Sequence, residues 1–169
     1  TGFKKNVNEL TANTYSNLFI TNHDVVRFGD LIQRAKKNGQ LEELLYSNRA
    51  KAALSLLATY SGPITNYYGE EIGQMGQKPD DNRREPFDWY ASSEGEYMTK
   101  MTDIFFNPEL KYVVADDGIS VEEEKSDDNS MLNHYKKLIA IRNEHKTFYN
   151  GTYETLGMGG EGLYAYKVS

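Results

Sequence analysis

Three polar residues, Asn22, His23 and Asp24, follow a short apolar run that ends at Ile20. An amide, an imidazole and a carboxylate on consecutive residues can donate and accept hydrogen bonds and carry charge. The same residue types commonly form turns after strands, so the triplet alone leaves a chemical and a purely structural interpretation open. Its position favours the chemical one if the sheet is a parallel α/β barrel, where active sites lie at the carboxyl ends of the strands.

A second charged pair, Glu70 and Glu71, ends the next short apolar and aromatic run, Ile64 to Tyr68. Neighbouring side chains leave a strand end in different directions, so we do not expect this pair to act together in catalysis. Helix capping or ion pairing is the expected role. The chain has no cysteine, which excludes disulfides, thiolate catalysis and cysteine-based metal sites.

The elements that would position these residues form a strand, a long helix and a strand. Residues 15–20 and 64–68 are short, aromatic and β-branched, which predicts two buried strands. Between them, residues 41–60 are crowded with leucine and alanine and contain no helix breaker until Gly62-Pro63. This order predicts one βαβ unit with a parallel sheet.

The remaining sequence predicts two shorter helices and one long loop. Residues 30–37 could form a short helix that stops at Asn38-Gly39. Residues 74–118 have little periodicity and hold three of the four prolines, which predicts a long loop with one short helix near residues 99–106. Loops of this length inside compact domains are usually functional or mobile.

The last part of the chain changes from helical to strand periodicity. Residues 126–129 offer helix-capping side chains, and apolar residues then recur at helical spacing from Met131 to Arg142. After Asn150-Gly151 the period becomes two on both sides of a glycine-rich turn at residues 157–160. This pattern predicts a β-hairpin at the edge of a separate, all-β domain.

Composition restricts the class of protein. The chain has 169 residues, with 25 acidic and 19 basic side chains and a net charge of −6. We expect no nucleic-acid partner, because phosphate neutralisation requires a clustered basic surface. No stretch resembles a signal peptide or reaches the roughly 18 to 20 apolar residues of a membrane span. We therefore expect a soluble chain with no membrane span, in an extracellular, periplasmic or cytoplasmic compartment that the sequence leaves open.

Several segments in fixed order resemble the α-amylase family, glycoside hydrolase family 13. Phe19 to Asp24 is similar to the last characteristic region of that family, an apolar strand that ends in Asn-His-Asp. The other similar segments are the eighth strand with its flanks, the loop after it, the last barrel helix and the start of the C-terminal β domain: residues 58–73, 78–89, 135–142 and the final hairpin.

The resemblance implies a retaining hydrolase that acts on α-linked glucans, such as starch or malto-oligosaccharides, on a (β/α)8 barrel. It places the third carboxylate of the site, which stabilises the oxocarbenium-like transition state, at Asp24. His23 would bind the sugar in the cleaved subsite, and Asp80 and Arg84 would line a neighbouring one, although a local surface ion pair is an equal explanation for them. Trp89 could stack on sugar or serve as a packing anchor.

The resemblance covers only part of such an enzyme. Retaining hydrolysis needs a nucleophile and an acid/base about 5 to 5.5 Å apart, and in the family these lie on strands four and five. The implied fold is the C-terminal portion of the barrel, about strands and helices seven and eight, in residues 1–146, with the start of the β domain in residues 147–169. The N-terminal half of the barrel would be the missing partner, and the chain alone would be inactive.

Two further expectations concern cofactor and activity. No cofactor or metal is expected within this chain, although calcium is possible in the complete enzyme, where the usual ligands lie in the missing regions. An alternative to the enzyme is a non-catalytic relative whose barrel serves as a binding or partner-interaction scaffold, because a fold does not guarantee chemistry.

Overall fold

The computed structural model describes residues 16–31, 43–100, 109–156 and 163–169. The longest helix, α1, comprises Glu43–Ala58 and confirms the helix predicted over residues 41–60. It ends before Gly62, whose φ of 113° lies in the left-handed region that glycine tolerates. Residues 28–31 are also helical, and the rest of the helix predicted over residues 30–37 lies outside the described residues.

The second long helix, α4, comprises Met131–Glu144 and confirms the helix predicted from the apolar period. Its cap is Ser130, whose side chain accepts a hydrogen bond from the Asn133 N–H at 3.1 Å, so the cap expected in residues 126–129 is one residue too early. Helix α4 packs on α1, and the core between them contains Leu54, Ala58 and Leu138.

Arg142, near the end of α4, fastens the end of α1. Its buried guanidinium donates to the backbone carbonyls of Ala58 and Tyr60, both at 2.8 Å, and to that of Gly62. These carbonyls belong to the last turn of α1 and the residues after it, where helical partners are missing. The contact therefore fixes the start of the segment that leads to Ile64.

The two predicted parallel strands are present only as a single bridge among the described residues. Leu18 pairs with Ile64 in parallel, with the Leu18 N–H donating to Pro63 at 3.2 Å and the Thr65 N–H donating to Leu18 at 2.8 Å. The prediction of two full strands over residues 15–20 and 64–68 is wrong in extent. Further along, the Tyr67 N–H, which a continued ladder would use, donates to the Glu70 carboxylate, and the Thr21 N–H donates to the same carboxylate.

Three short helical segments lie in or next to the long loop predicted over residues 74–118. They are a 3-10 turn at Glu70–Ile72 before the loop, α2 at Asp80–Arg83 within it and α3 at Val121–Glu124 after it. A capping box between Ser120 and Glu123 starts α3. The sequence did not predict α2, and most of the helix predicted near residues 99–106 lies outside the described residues.

The last elements are α5 at Thr147–Asn150, β1 at Tyr153–Leu156 and β2 at Ala165–Val168. The two strands pair antiparallel with Tyr153 opposite Val168, which confirms the predicted strand pair. The glycine-rich turn lies outside the described residues, and the division into domains at residue 146 stays a prediction.

Near this hairpin an apolar groove is lined by residues of the first run, of α1 and of the strands, among them Phe19, Leu57 and Tyr166. Within the described residues, none of the helices has the length and apolar character needed to cross a bilayer.

Candidate active site

The Asn-His-Asp triplet forms an exposed turn at the end of the bridged segment. Asn22 Oδ1 accepts the backbone N–H of Asp24 at 2.8 Å, the pattern of an Asx turn. The side chains of His23 and Asp24 are 59% and 68% exposed, and His23 Nε2 lies 3.5 Å from Asp24 Oδ2. The imidazole and the carboxylate are thus both available to a ligand.

Helix α2 brings the other two predicted site residues to the same place. Arg84 Nη2 lies 3.8 Å from Asp24 Oδ1 and 3.8 Å from Asp80 Oδ2. The local ion pair between Asp80 and Arg84 therefore forms, and Arg84 also reaches the distant triplet. Exposed ion pairs of this kind contribute only about 0 to 1 kcal/mol, so they cannot by themselves hold the four side chains together.

A buried arginine, Arg83, joins the two segments more tightly. Its side chain is 3% exposed; Nη1 donates to the backbone carbonyl of Asp24, and Nη2 donates to the Asp80 carboxylate. Sequence reasoning missed Arg83, because its exposed neighbour Arg84 matches the family pattern and nothing in the residue type distinguishes the buried arginine from the exposed one.

A second buried arginine, Arg27, contacts the backbone of Arg83. Its guanidinium lies 4.5 Å from the Tyr67 ring centroid and 4.6 Å from that of Tyr68, while Nε donates to the Arg83 carbonyl at 2.9 Å. A Cβ at Gly69, where φ is 87°, would lie 2.9 Å from Arg27 Nη1. Sequence reasoning also missed Arg27; its only signal is a cation three residues after Asp24.

Glu70 connects the triplet to the segment that follows the bridge. The buried carboxylate accepts the Thr21 N–H at 3.0 Å, the Thr21 hydroxyl and the Tyr67 N–H at 3.3 Å. Burial raises the pKa of Glu70, and the hydrogen bonds from Thr21 and Tyr67 oppose that rise. Glu70 has a further role that the sequence did not predict, because it anchors the residue directly before Asn22.

Glu71, the other member of that pair, has a different hydrogen-bond partner from Glu70. Its Oε2 accepts a hydrogen bond from Asn66 Nδ2 at 2.8 Å. This contact gives a polar partner to Asn66, which interrupts the apolar run. Glu70 and Glu71 therefore have separate partners, as the prediction that they do not act as a catalytic pair requires.

Directly after Arg84, the fully buried Glu85 fixes the far side of the loop. Its two carboxylate oxygens accept the backbone N–H groups of Lys111, Tyr112 and Val113, each at 2.9 Å. A carboxylate that accepts several backbone N–H groups is a strong, charge-assisted anchor. Sequence reasoning missed Glu85 because its partners are distant in the chain.

The position of Trp89 fits both interpretations of this residue, stacking on sugar and anchoring the loop by packing. Its side chain is half exposed, and its ring centroid lies 4.5 Å from that of Phe87.

Within the described ranges, no group of three or more His, Asp or Glu side chains could hold a metal ion.

A family model described as the α-amylase catalytic domain matches residues 1–151. Among curated proteins, α-amylase 3 of Dictyoglomus thermophilum is 34% identical over 151 residues, which are 89% of this chain and 27% of that protein. An oligo-1,6-glucosidase of Halalkalibacterium halodurans is 25% identical over an alignment that covers 90% of this chain and 31% of that protein.

Among solved structures, the α-amylase from H. orenii is similar to this chain with a TM-score of 0.67 and 37% identity, over 86% of this chain and 26% of that one. The chain thus spans about a quarter to a third of the length of these relatives.

Proposed function

The chain belongs to the family of α-amylase catalytic domains, and we propose that it forms the C-terminal part of the (β/α)8 barrel of a retaining α-glucan hydrolase. Residues 1–146 would contribute about strands and helices seven and eight, and residues 147–169 would begin an all-β domain. The parent enzyme, meaning this segment together with the rest of its barrel, would hydrolyse α-glucosidic bonds in starch or malto-oligosaccharides.

The observation that carries the proposal is the meeting of two distant segments on Arg84. Arg84 lies within 4 Å of both Asp24 and Asp80, and His23 lies beside Asp24. All four side chains are substantially exposed, while the buried side chains of Arg83 and Glu70 hold their segments by hydrogen bonds. Such a division suits a ligand site, because the reactive groups stay open while their backbones are held.

Asp24 is the residue we assign to transition-state stabilisation. As the glycosidic bond breaks, positive charge develops on the sugar ring, and a nearby carboxylate stabilises that charge more strongly than it binds the neutral substrate. His23 would hydrogen-bond the same sugar, and Asp80 and Arg84 would bind the next one along the chain of sugars.

The nucleophile and the acid/base would come from the rest of the barrel. We assign the ligands of calcium, if the parent enzyme uses it, to the rest of the barrel as well. Both an α-amylase and an oligo-1,6-glucosidase stand among the relatives, so the proposal covers α-glucosidic bonds in general and does not choose a linkage.

The test replaces Asp24 in the parent enzyme. Asp24→Asn keeps the size of the side chain and removes its charge, so we expect turnover on maltotetraose to fall on the order of a hundredfold or more, which corresponds to about 3 kcal/mol. His23→Ala should reduce turnover less, because it removes a contact that is made partly in the ground state. The thermal midpoints of both variants should stay near that of the parent, since both side chains are exposed.

Near-normal turnover of the Asp24→Asn variant would show that Asp24 is only a turn residue and would overturn the proposal. A parent protein that binds malto-oligosaccharides but hydrolyses none would support the non-catalytic scaffold instead.

A further inference from the structure

We propose that Arg83 is a positioning residue, which holds the Asp24 backbone and the Asp80 carboxylate in one fixed relation. The inference rests on the proposed function and adds to it a buried residue with no expected contact to sugar. The two terminal nitrogens of the Arg83 guanidinium have different partners, since Nη1 donates to the Asp24 carbonyl and Nη2 donates to the Asp80 carboxylate.

The Asp24 backbone is tied on both sides. Its N–H donates to Asn22 Oδ1 at 2.8 Å, and its carbonyl accepts from Arg83. Among the described residues, the Asp24 carboxylate in contrast has only long contacts, 3.5 Å to His23 and 3.8 Å to Arg84. The backbone therefore fixes the point from which the Asp24 side chain extends, and the Arg83 guanidinium is one of the two groups that hold that backbone.

Arg83 can do this because its own position is fixed. Its carbonyl accepts Arg27 Nε at 2.9 Å and the Tyr67 hydroxyl at 3.1 Å, and its side chain is almost fully buried. A planar guanidinium can donate along two fixed directions at once, whereas the ammonium of lysine is a point charge on a flexible stem. An arginine at position 83 can therefore bind the Asp24 carbonyl and the Asp80 carboxylate at the same time, and a lysine cannot.

The energetics argue against a purely structural role. Arg83 Nε is buried and has no hydrogen-bond partner among the described residues. Burying a guanidinium with an unused donor costs free energy, and an apolar side chain of similar length is often as stable or more stable in such a place. A use in the site accounts for this cost, because misplacing a reacting group by about 1 Å can reduce the rate about a hundredfold.

The experiment compares two buried arginines in the parent enzyme. Arg83→Lys keeps the charge but cannot reach both partners, and Arg142→Lys is the matched control, because Arg142 also donates to backbone carbonyls and lies outside the site. At a temperature well below both thermal midpoints, we expect Arg83→Lys to lower kcat on maltotetraose at least tenfold and to change KM less than about threefold. Arg142→Lys should lower the midpoint and leave kcat unchanged.

A second variant keeps the inference testable if the first one does not fold. If Arg83→Lys does not yield folded protein, Arg83→Met removes both donors with an apolar side chain that suits a buried position, and the same loss of kcat is expected. A kcat for either folded Arg83 variant that matches the kcat of Arg142→Lys would overturn the inference.

The two proposals fail in different ways. If Asp24→Asn loses turnover and the Arg83 variants keep it, only the positioning role is wrong. If Asp24→Asn itself keeps turnover, the proposed function is wrong, and the positioning role fails with it.

Discussion

The carboxylate of Glu70 accepts both the backbone N–H and the hydroxyl of Thr21, a residue 49 positions earlier in the chain. Thr21 directly precedes the Asn-His-Asp turn and is 2% exposed. The turn is therefore held from its amino side by Glu70 and from its carboxyl side by Arg83. Neither of these groups lies on the exposed surface where the candidate site residues meet.

Thr21→Val should destabilise the parent enzyme by about 1 kcal/mol, because it removes one donor from a buried carboxylate. The effect should grow as pH rises. The Thr21 hydroxyl opposes the burial that raises the pKa of Glu70, so without it the pKa rises further and the ionised form is penalised more. Thermal midpoints between pH 4 and pH 8 measure this.

The control for Thr21 is Thr65→Val, which removes an exposed hydroxyl that bonds Asn17 at 2.8 Å. Its effect should be small and independent of pH. Equal pH profiles for the two variants would contradict the role assigned to Glu70.

Glu85→Gln should destabilise the parent enzyme by about 2 to 3 kcal/mol, since the charged acceptor of three backbone N–H groups becomes a neutral amide with one acceptor oxygen. Hydrogen exchange of the amides of Lys111, Tyr112 and Val113 should accelerate more than exchange in α4. The matched control is Glu144→Gln, an exposed position, with an expected change within about 0.5 kcal/mol. Unchanged protection of residues 111–113 would contradict the anchoring role.

The helices and the hairpin could be predicted from sequence because their signals are local. Crowded leucine and alanine residues without a breaker before Gly62-Pro63 predict α1, and apolar residues at helical spacing predict α4. The strand pair follows from period-two residues on both sides of a glycine-rich turn. The length of the parallel strands could not be predicted, because a ladder depends on partners that the apolar run itself does not specify.

The exposed half of the candidate site could be proposed from a resemblance, since His23, Asp24, Asp80 and Arg84 lie in recognisable segments. Its buried half could not. Arg83 and Glu85 are charged residues in a polar stretch, and their burial follows from partners 59 and up to 28 residues away in the chain. Nothing local distinguishes a buried arginine from an exposed one.

The buried carboxyl of Asp88 should give the free energy of unfolding a second dependence on pH. It is 2% exposed, and burial, with the neighbouring charges of Asp117 and Glu123, raises its pKa from 3.8 to about 7. Because the folded pKa lies above the unfolded one, the folded state binds more protons between these values. This contribution to stability is therefore full below pH 4 and is lost as pH rises towards 7.

Asp88→Asn should remove this penalty and raise the free energy of unfolding by about 1 kcal/mol or more above pH 7, with little gain at pH 4. Urea unfolding at pH 4, 6 and 8 measures the slope. Asp116→Asn is the control, an exposed position in the same loop with a φ of 57° that asparagine tolerates. If Asp88→Asn keeps the parent's slope, Asp88 is not the titrating group.

The 169-residue chain by itself should release no measurable reducing sugar from starch or maltotetraose. Retaining hydrolysis needs two carboxyl groups that act as nucleophile and acid/base, and we assign both to the rest of the barrel. The exposed carboxylates that the chain does bring together, Asp24 and Asp80, each face Arg84 within 4 Å, which suits binding and charge stabilisation. The assay compares the purified chain with its Asp24→Asn variant, prepared identically, and with the parent enzyme. Hydrolysis by the chain that disappears in the Asp24→Asn variant would mean that the chain catalyses alone, and the assignment of the missing carboxylates would then be wrong.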